Sequence, residues 1–294
     1  MMFWNIGQLT GSVLLCKKIR SRKAFHNKKH GFGEMMSTIR TLGLRIGFGF
    51  GFWAAVGVAQ AAPEAGIPGL ESRPVDARVL RVRLEGLVDL RIRQGGAASL
   101  TVGGEPRWIT RVTTVQQGDT LNITSDIHGR ARMGAVHAEL VLPALRELSS
   151  ESLGSVDVAG FSGEELTLNL DGAGSMQVAV NYRRVRASLG GIGSMQLQGL
   201  NSEGVELNLQ GAGVMTLSGR ARWLKADLGG LGSLDARQFE VDTVNIDLSG
   251  LGNASVTARQ NANLNLSGLG SVTVYGKPQN RKVAVDGLGK VSWK

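Results

Sequence analysis

The sequence predicts an all-β protein: a right-handed parallel β-helix of about eight coils of 18–20 residues behind an irregular N-terminal β cap. Three observations carry that prediction. A Gly-x-Gly motif recurs at Gly172, Gly191, Gly211, Gly230, Gly250, Gly268 and Gly287, in steps of 19, 20, 19, 20, 18 and 19 residues. A period near 20 is the signature of a solenoid. Apolar residues alternate with polar ones on both sides of each motif, which is the two-residue period of a half-buried strand. Composition agrees, with 42 glycines against 6 prolines in 294 residues and only 5% aromatics, so the core must be aliphatic and the chain rich in turns.

Taken in chain order, the first segment is residues 1–34, which stand awkwardly ahead of an export signal. Met35 and Met36 would give that signal an ordinary length, so residues 1–34 are expected to be a mis-assigned start. Residues 35–61 read as a signal peptide: Arg40 and Arg45, an apolar run at 46–59, then the small-x-small site Ala59-Gln60-Ala61, with cleavage expected before Ala62. Fourteen apolar residues span about 21 Å as a helix, too short for a hydrocarbon core of about 30 Å, so no stable membrane span is expected after cleavage. Residues 62–74, holding Pro63, Pro68 and Pro74, read as a linker. The only cysteine, Cys16, falls before the signal, so the mature chain is expected to have neither disulfide nor thiol chemistry.

Charge narrows the partners. Residues 1–61 hold nine basic groups and one acid, which is +8 of the net +9. The rest carries 24 basic and 23 acidic residues, a balance with no general attraction for nucleic acid or anionic membranes.

Residues 75–150 alternate less regularly, at Val79–Leu84, Leu87–Ile92, Ser99–Val102, Thr120–Ile123 and His137–Leu142, and read as the cap and first coils. A solenoid needs its end covered, because an open coil templates aggregation. Residues 151–294 hold the regular coils, with Ser152-Leu153-Gly154 a degenerate first motif. Inward columns stand two and four residues before each motif (Leu170 to Val285; Leu168 to Val283) and four and six after its first glycine (Met176 to Val291; Val178 to Trp293). Outward columns are polar, one of them running Asn169, Ser188, Asn208, Asp227, Asp247 and Asn265. The glycines are expected to serve a sharp corner by adopting positive φ and by close stacking.

At these residues the chain resembles the head GIN domain family, described as putative auto-transporter adhesins. The resemblance spans roughly residues 75–293 and rests on Leu84–Gly95, Gly118–Ile123, Val141–Leu145 and Leu-x-Leu-x-Gly-x-Gly-Ser coils such as Leu168–Ser175. It implies an exported bacterial protein with a right-handed β-helix, and it brings no catalytic motif. Nothing after the coils looks like a membrane barrel, so the chain is not expected to translocate itself.

Chemistry-bearing residues are few. Asp227 and Asp247 share an outward column in adjacent coils, near enough for paired acid chemistry, but the column reads first as a solvated polar ladder with Asn169, Asn208 and Asn265. His128 and His137 lack a cysteine partner and zinc-type spacing. Calcium-binding repeats need Asp two residues after the last glycine, where this chain has Met176, Met195, Met215, Leu234, Ala254, Val272 and Val291. Ser175, Ser194, Ser233 and Ser271 read as turn residues rather than nucleophiles, and the three methionines as core filling. Trp108 and Trp223 are the aromatic candidates for ligand contact, with partial burial the alternative.

No catalytic, cofactor or metal residue is therefore expected. The leading expectation is an exported non-catalytic envelope protein, periplasmic or at the cell surface, that binds a glycan or protein partner through the side of the rod. The alternatives are a polysaccharide lyase or hydrolase using Asp227 and Asp247, and a structural spacer without a ligand.

Overall fold

Strict alternation of aliphatic and polar residues gives every coil one buried face, and the coils stack so that like columns meet. In the computed structural model, which describes residues 69–126 and 135–294, Met176 pairs with Met195, then Met215, Leu234, Ala254, Val272 and Val291 along successive strands. The expected leader, its cleavage site and His128 lie outside the described residues.

Six coils are each a single long strand: β9 (Ser155–Leu170), β10 (Ser175–Leu189), β11 (Ser194–Leu209), β12 (Val214–Leu228), β13 (Ser233–Leu248) and β14 (Asn253–Leu266). A seventh is split into β15 (Ser271–Tyr275) and β16 (Asn280–Val285), and β17 (Lys290–Trp293) begins another. The described residues thus make a solenoid of about seven turns, with β17 the start of another. All pairings among these strands are parallel.

Each long strand bends once without ending. The register slips near its middle, for instance between Ala179 and Arg184 where β10 meets β11. Positive-φ glycines sit at this bend: Gly160, Gly199, Gly219 and Gly276. The Gly-x-Gly turn closes the opposite edge, and there the expected positive φ is absent. Close stacking alone demands glycine. A Cβ on Gly211 would lie 1.9 Å from the Gly191 carbonyl oxygen of the preceding coil, and one on Gly230 would lie 2.0 Å from that of Gly211.

The cap extends both sides of the solenoid. β3 (Asp89–Gln94) lies beside the first half of β9, and β8 (Glu147–Ser152) beside its second half. Beyond them β7 (Val136–Leu142) is parallel to β3, and β2 (Arg81–Gly86) is parallel to both β8 and β6 (Thr120–Ser125). The direction then reverses. β4 (Ser99–Gly104) runs antiparallel to β7, β1 (Gly69–Arg73) antiparallel to β4, and β5 (Val112–Gln117) antiparallel to β6. Residues 69–73, expected within the linker, are this edge strand β1.

A short helix, α1 (Pro106–Ile109), joins β4 to β5 and buries Ile109 against the core. Arg73 ties the two edges of the cap together, donating to the Val112 carbonyl at 2.5 Å and the Ile109 carbonyl at 3.1 Å. The far end differs. There the core columns reach Val283 and Val285 at 45% and 42% exposed, and Arg281 lies 4.4 Å over the ring of Trp293.

Candidate functional site

The turn edge makes the first surface. Its backbone continues the parallel ladder through the corner: the Ile192 amide donates to Gly172 O, Ala212 to Gly191 O, Leu231 to Gly211 O, and Leu251 to Gly230 O, at 3.1–3.2 Å. With both glycines pressed against the coil below, the middle side chain has only solvent to enter. Eight aliphatic residues therefore stand in a row: Leu153, Ala173, Ile192, Ala212, Leu231, Leu251, Leu269 and Leu288. The six large ones are 53% to 85% exposed. Beside the first four runs a groove of about 600 Å³, floored by glycines and bordered by Ser155, Ser175, Ser194 and Asp89. Asp89 accepts from both the amide and the hydroxyl of Ser155, at 2.7 and 2.8 Å.

This row is the feature that reading for chemistry misses. The signal was the middle residue of each Gly-x-Gly, aliphatic in every copy although it faces solvent.

The flat side carrying the second halves of the coils makes the other surface. Its outward columns divide into two zones. Toward the N-terminus they are laced by ion pairs: Arg186 bridges Glu165 and Glu206, and Lys225 reaches Glu206 at 3.5 Å and Asp227 at 3.4 Å. The Asp227 carboxylate, and after it Glu206, holds the Lys225 ammonium above its usual pKa. Toward the C-terminus amides replace the charges. Asn263 donates to Asn245 at 2.7 Å, Asn265 to Asp247 at 3.2 Å, and Asn261 to Thr243 at 2.9 Å. A shallow groove of about 300 Å³ runs among Asn245, Asp247, Asn263, Asn265 and Lys282.

Asp227 and Asp247 are register partners, as their spacing requires. Each is engaged by a different neighbour, Asp227 by Lys225 and Asp247 by Asn265, on a face without a deep cleft around them. Trp108 is partly buried against the cap core, with Arg107 and Arg111 5.1 and 5.7 Å from its ring centroid. Trp223 lies at the bend edge, its ring occupying the space above Gly204, just as the Tyr182 ring occupies that above Gly163. Tyr182 is buried, and its hydroxyl donates to the Leu145 carbonyl in the cap at 2.5 Å. Burial pushes its pKa up to about 12, against the opposing effect of that hydrogen bond.

His137 sits over Gly103, its antiparallel partner on β4. Among the described residues no group of three or more His, Cys, Asp or Glu could hold a metal ion, and no helix is long and apolar enough to cross a membrane. Met176, Met195 and Met215 are fully buried.

Fold and surface together define the class of protein: a capped parallel β-solenoid that presents long, regular faces. The family follows from the sequence of the coils. Residues 80–203 and 197–278 match the family described as putative auto-transporter adhesin, head GIN domain, and the chain belongs to that family.

Solved structures share the fold. A putative adhesin from Parabacteroides distasonis is 18% identical, with a TM-score of 0.71 over 78% of this chain and 98% of that one. A putative lipid binding protein from the same species is 17% identical, with a TM-score of 0.69 over 77% of this chain and 97% of that one. A putative adhesin from Bacteroides fragilis is 16% identical, with a TM-score of 0.61 over 78% and 97%. Comparison with curated proteins yields no match. The family supports a binding or adhesion role and an exported or surface location.

Proposed function

We propose that this protein is an exported, non-catalytic binding module of the bacterial envelope that adheres to a glycan through the amide-lined flat side of its solenoid. The observation that carries the reading is the ladder of Asn245, Asn263, Asp247 and Asn265, with Lys282 beside it, set at the coil spacing along an open face. Side-chain amides both donate and accept, so a row of them at about 4.8 Å intervals suits a polymer with repeating hydroxyl and amide groups. The unbroken coil period supports it as well, since sites that act on a substrate are commonly built from loops that depart from such regularity. Residues 35–61 would deliver the chain across the membrane and be removed before Ala62.

The test is co-sedimentation of the purified protein with peptidoglycan and a panel of insoluble polysaccharides, assaying the supernatant for released sugar. Retention without released sugar is expected, and Asn263→Leu with Asn265→Leu should weaken it at least tenfold. Sugar released by the wild type and not by Asp227→Asn would overturn the reading in favour of a polysaccharide-active enzyme. Absence of retention on every glycan would leave a protein partner or a spacer.

A further inference from the structure

The aliphatic row on the turn edge has no part in the glycan reading. Its six large side chains expose about 600 Å² of apolar surface, at the upper end of what a monomer ordinarily leaves bare. The row is about 34 Å long at the coil spacing, and its aliphatic side chains carry no hydrogen-bonding group.

Its two halves differ in relief. The N-terminal half alternates large and small, with Ala173 and Ala212 as low points, and the groove of about 600 Å³ lies beside it. The C-terminal half is an unbroken ridge of Leu231, Leu251, Leu269 and Leu288. One chain therefore carries both a channel and a ridge of matching period.

From this relief we propose that the turn edge is a homodimer interface in which a second copy of the chain packs antiparallel, each leucine ridge seated along the other's groove. Reversal sets Ala173 against Leu269 and Ala212 against Leu231, small on large, alternating with Leu153 against Leu288 and Ile192 against Leu251. A parallel pair would set alanine on alanine and leave gaps. A twofold axis also makes the contact closed and self-complementary, as most homodimer contacts are. Two such rows bury about 1,200 Å², the lower bound of a stable interface before the flanking serines are counted.

The charges near the row argue against a bilayer as the occupant. Glu151, Asp171 and Asp286 stand beside it, with Lys290 as the cation at the same edge, whereas anionic lipid surfaces attract basic rims.

The test is sedimentation velocity on the full chain, from about 0.1 to 100 µM, in reducing buffer so that Cys16 does not cross-link it. A dimer is expected. Leu231→Glu with Leu251→Glu should raise its dissociation constant by about 100-fold or more, because each added carboxylate would be buried without a partner. Circular dichroism should be unchanged, since both side chains are solvent-facing in the monomer. Asn263→Leu with Asn265→Leu, on the flat side, should leave the dimer intact, which separates this proposal from the glycan reading.

Orientation is tested in a Cys16→Ser background carrying Ala173→Cys and Leu269→Cys. These positions lie five coils apart in one chain, so a link from position 173 to position 269 can form only between antiparallel copies. A disulfide-linked dimer whose peptide map joins 173 to 269 is expected, and links of 173 to 173 or 269 to 269 would mark a parallel pair and overturn the proposal. A wild type that stays monomeric at 100 µM, a dimer indifferent to the two glutamates, or a monomer whose row docks on phosphatidylcholine vesicles would each overturn the proposal.

Discussion

The two edges of this solenoid turn the chain by different means. At the Gly-x-Gly edge every coil repeats one solution, because each turn backbone lies directly on the turn below it. A Cβ there meets backbone, the Gly172 carbonyl oxygen at 1.9 Å for Gly191 and the Gly250 oxygen at 2.0 Å for Gly268. At the bend edge each coil finds its own route: the register slips between neighbouring coils, positive-φ glycines stand in β9, β11 and β12, and the rings of Tyr182 and Trp223 are laid over Gly163 and Gly204. At the glycine edge backbone meets backbone in every coil, and the sequence repeats. At the bend it does so in some coils, as at Gly219, whose Cβ would lie 2.1 Å from Leu200 O, and in others the space is open, as at Gly199, so neighbouring coils differ.

The sharpest way to break that contrast is Gly211→Ala. The added carbon would sit 1.9 Å from Gly191 O and 2.7 Å from Gly190 O, so whole coils must shift. A loss of about 3–5 kcal/mol is expected, measured by urea unfolding, consistent with overpacking of a rigid site.

A smaller effect is expected from Tyr182, which pins the bend edge to the cap. Its phenol is neutral in the fold and has a folded pKa of about 12, against 10 in the unfolded chain. Its contribution is therefore complete below pH 10 and lost as the pH rises through 12, amounting to about 2–3 kcal/mol. Unfolding midpoints from pH 9 to 12 should show that loss in the wild type and not in Tyr182→Phe. At neutral pH the phenylalanine variant should itself be weaker by about 1–2 kcal/mol, because the Leu145 carbonyl loses its donor.

The mildest change is Gly199→Ala, also at the bend. Nothing lies within 4 Å of the new carbon, and only the φ of +64° is unfavourable. About 1 kcal/mol is expected from the same urea titration. A loss at Gly199 equal to that at Gly211 would erase the distinction between the edges.

The legible parts of the molecule follow the same division. The inward columns from Leu170 and Met176 onward could be traced residue by residue, because a buried column admits only apolar side chains and its spacing is fixed by the pleat. The glycine corner was legible in position, though its cause was half misjudged: stacking distance requires glycine there, and positive φ does not. The bend is not legible in the sequence, since one strand bends there without stopping and glycine marks the place in only some coils. The reversal of direction in β4, β5 and β1 was likewise hidden, because alternation reports burial and says nothing about strand direction. The Asp227 and Asp247 pairing was readable from the period, whereas their engagement by Lys225 and Asn265 depends on side-chain rotamers.

The amide-to-carbonyl ladder that continues through the glycine turns also determines how the rod answers to force. Tension along the rod axis acts on every bond between two coils at once, strand and glycine turn together, and the register slips at the bend are where the ladder thins. The same bonds yield one after another when a single strand is tugged sideways from the stack, because each coil is held only by its neighbours. A tether seated on the flat side and pulled lengthwise would meet the stiff direction, and one that caught the last coil would unreel it.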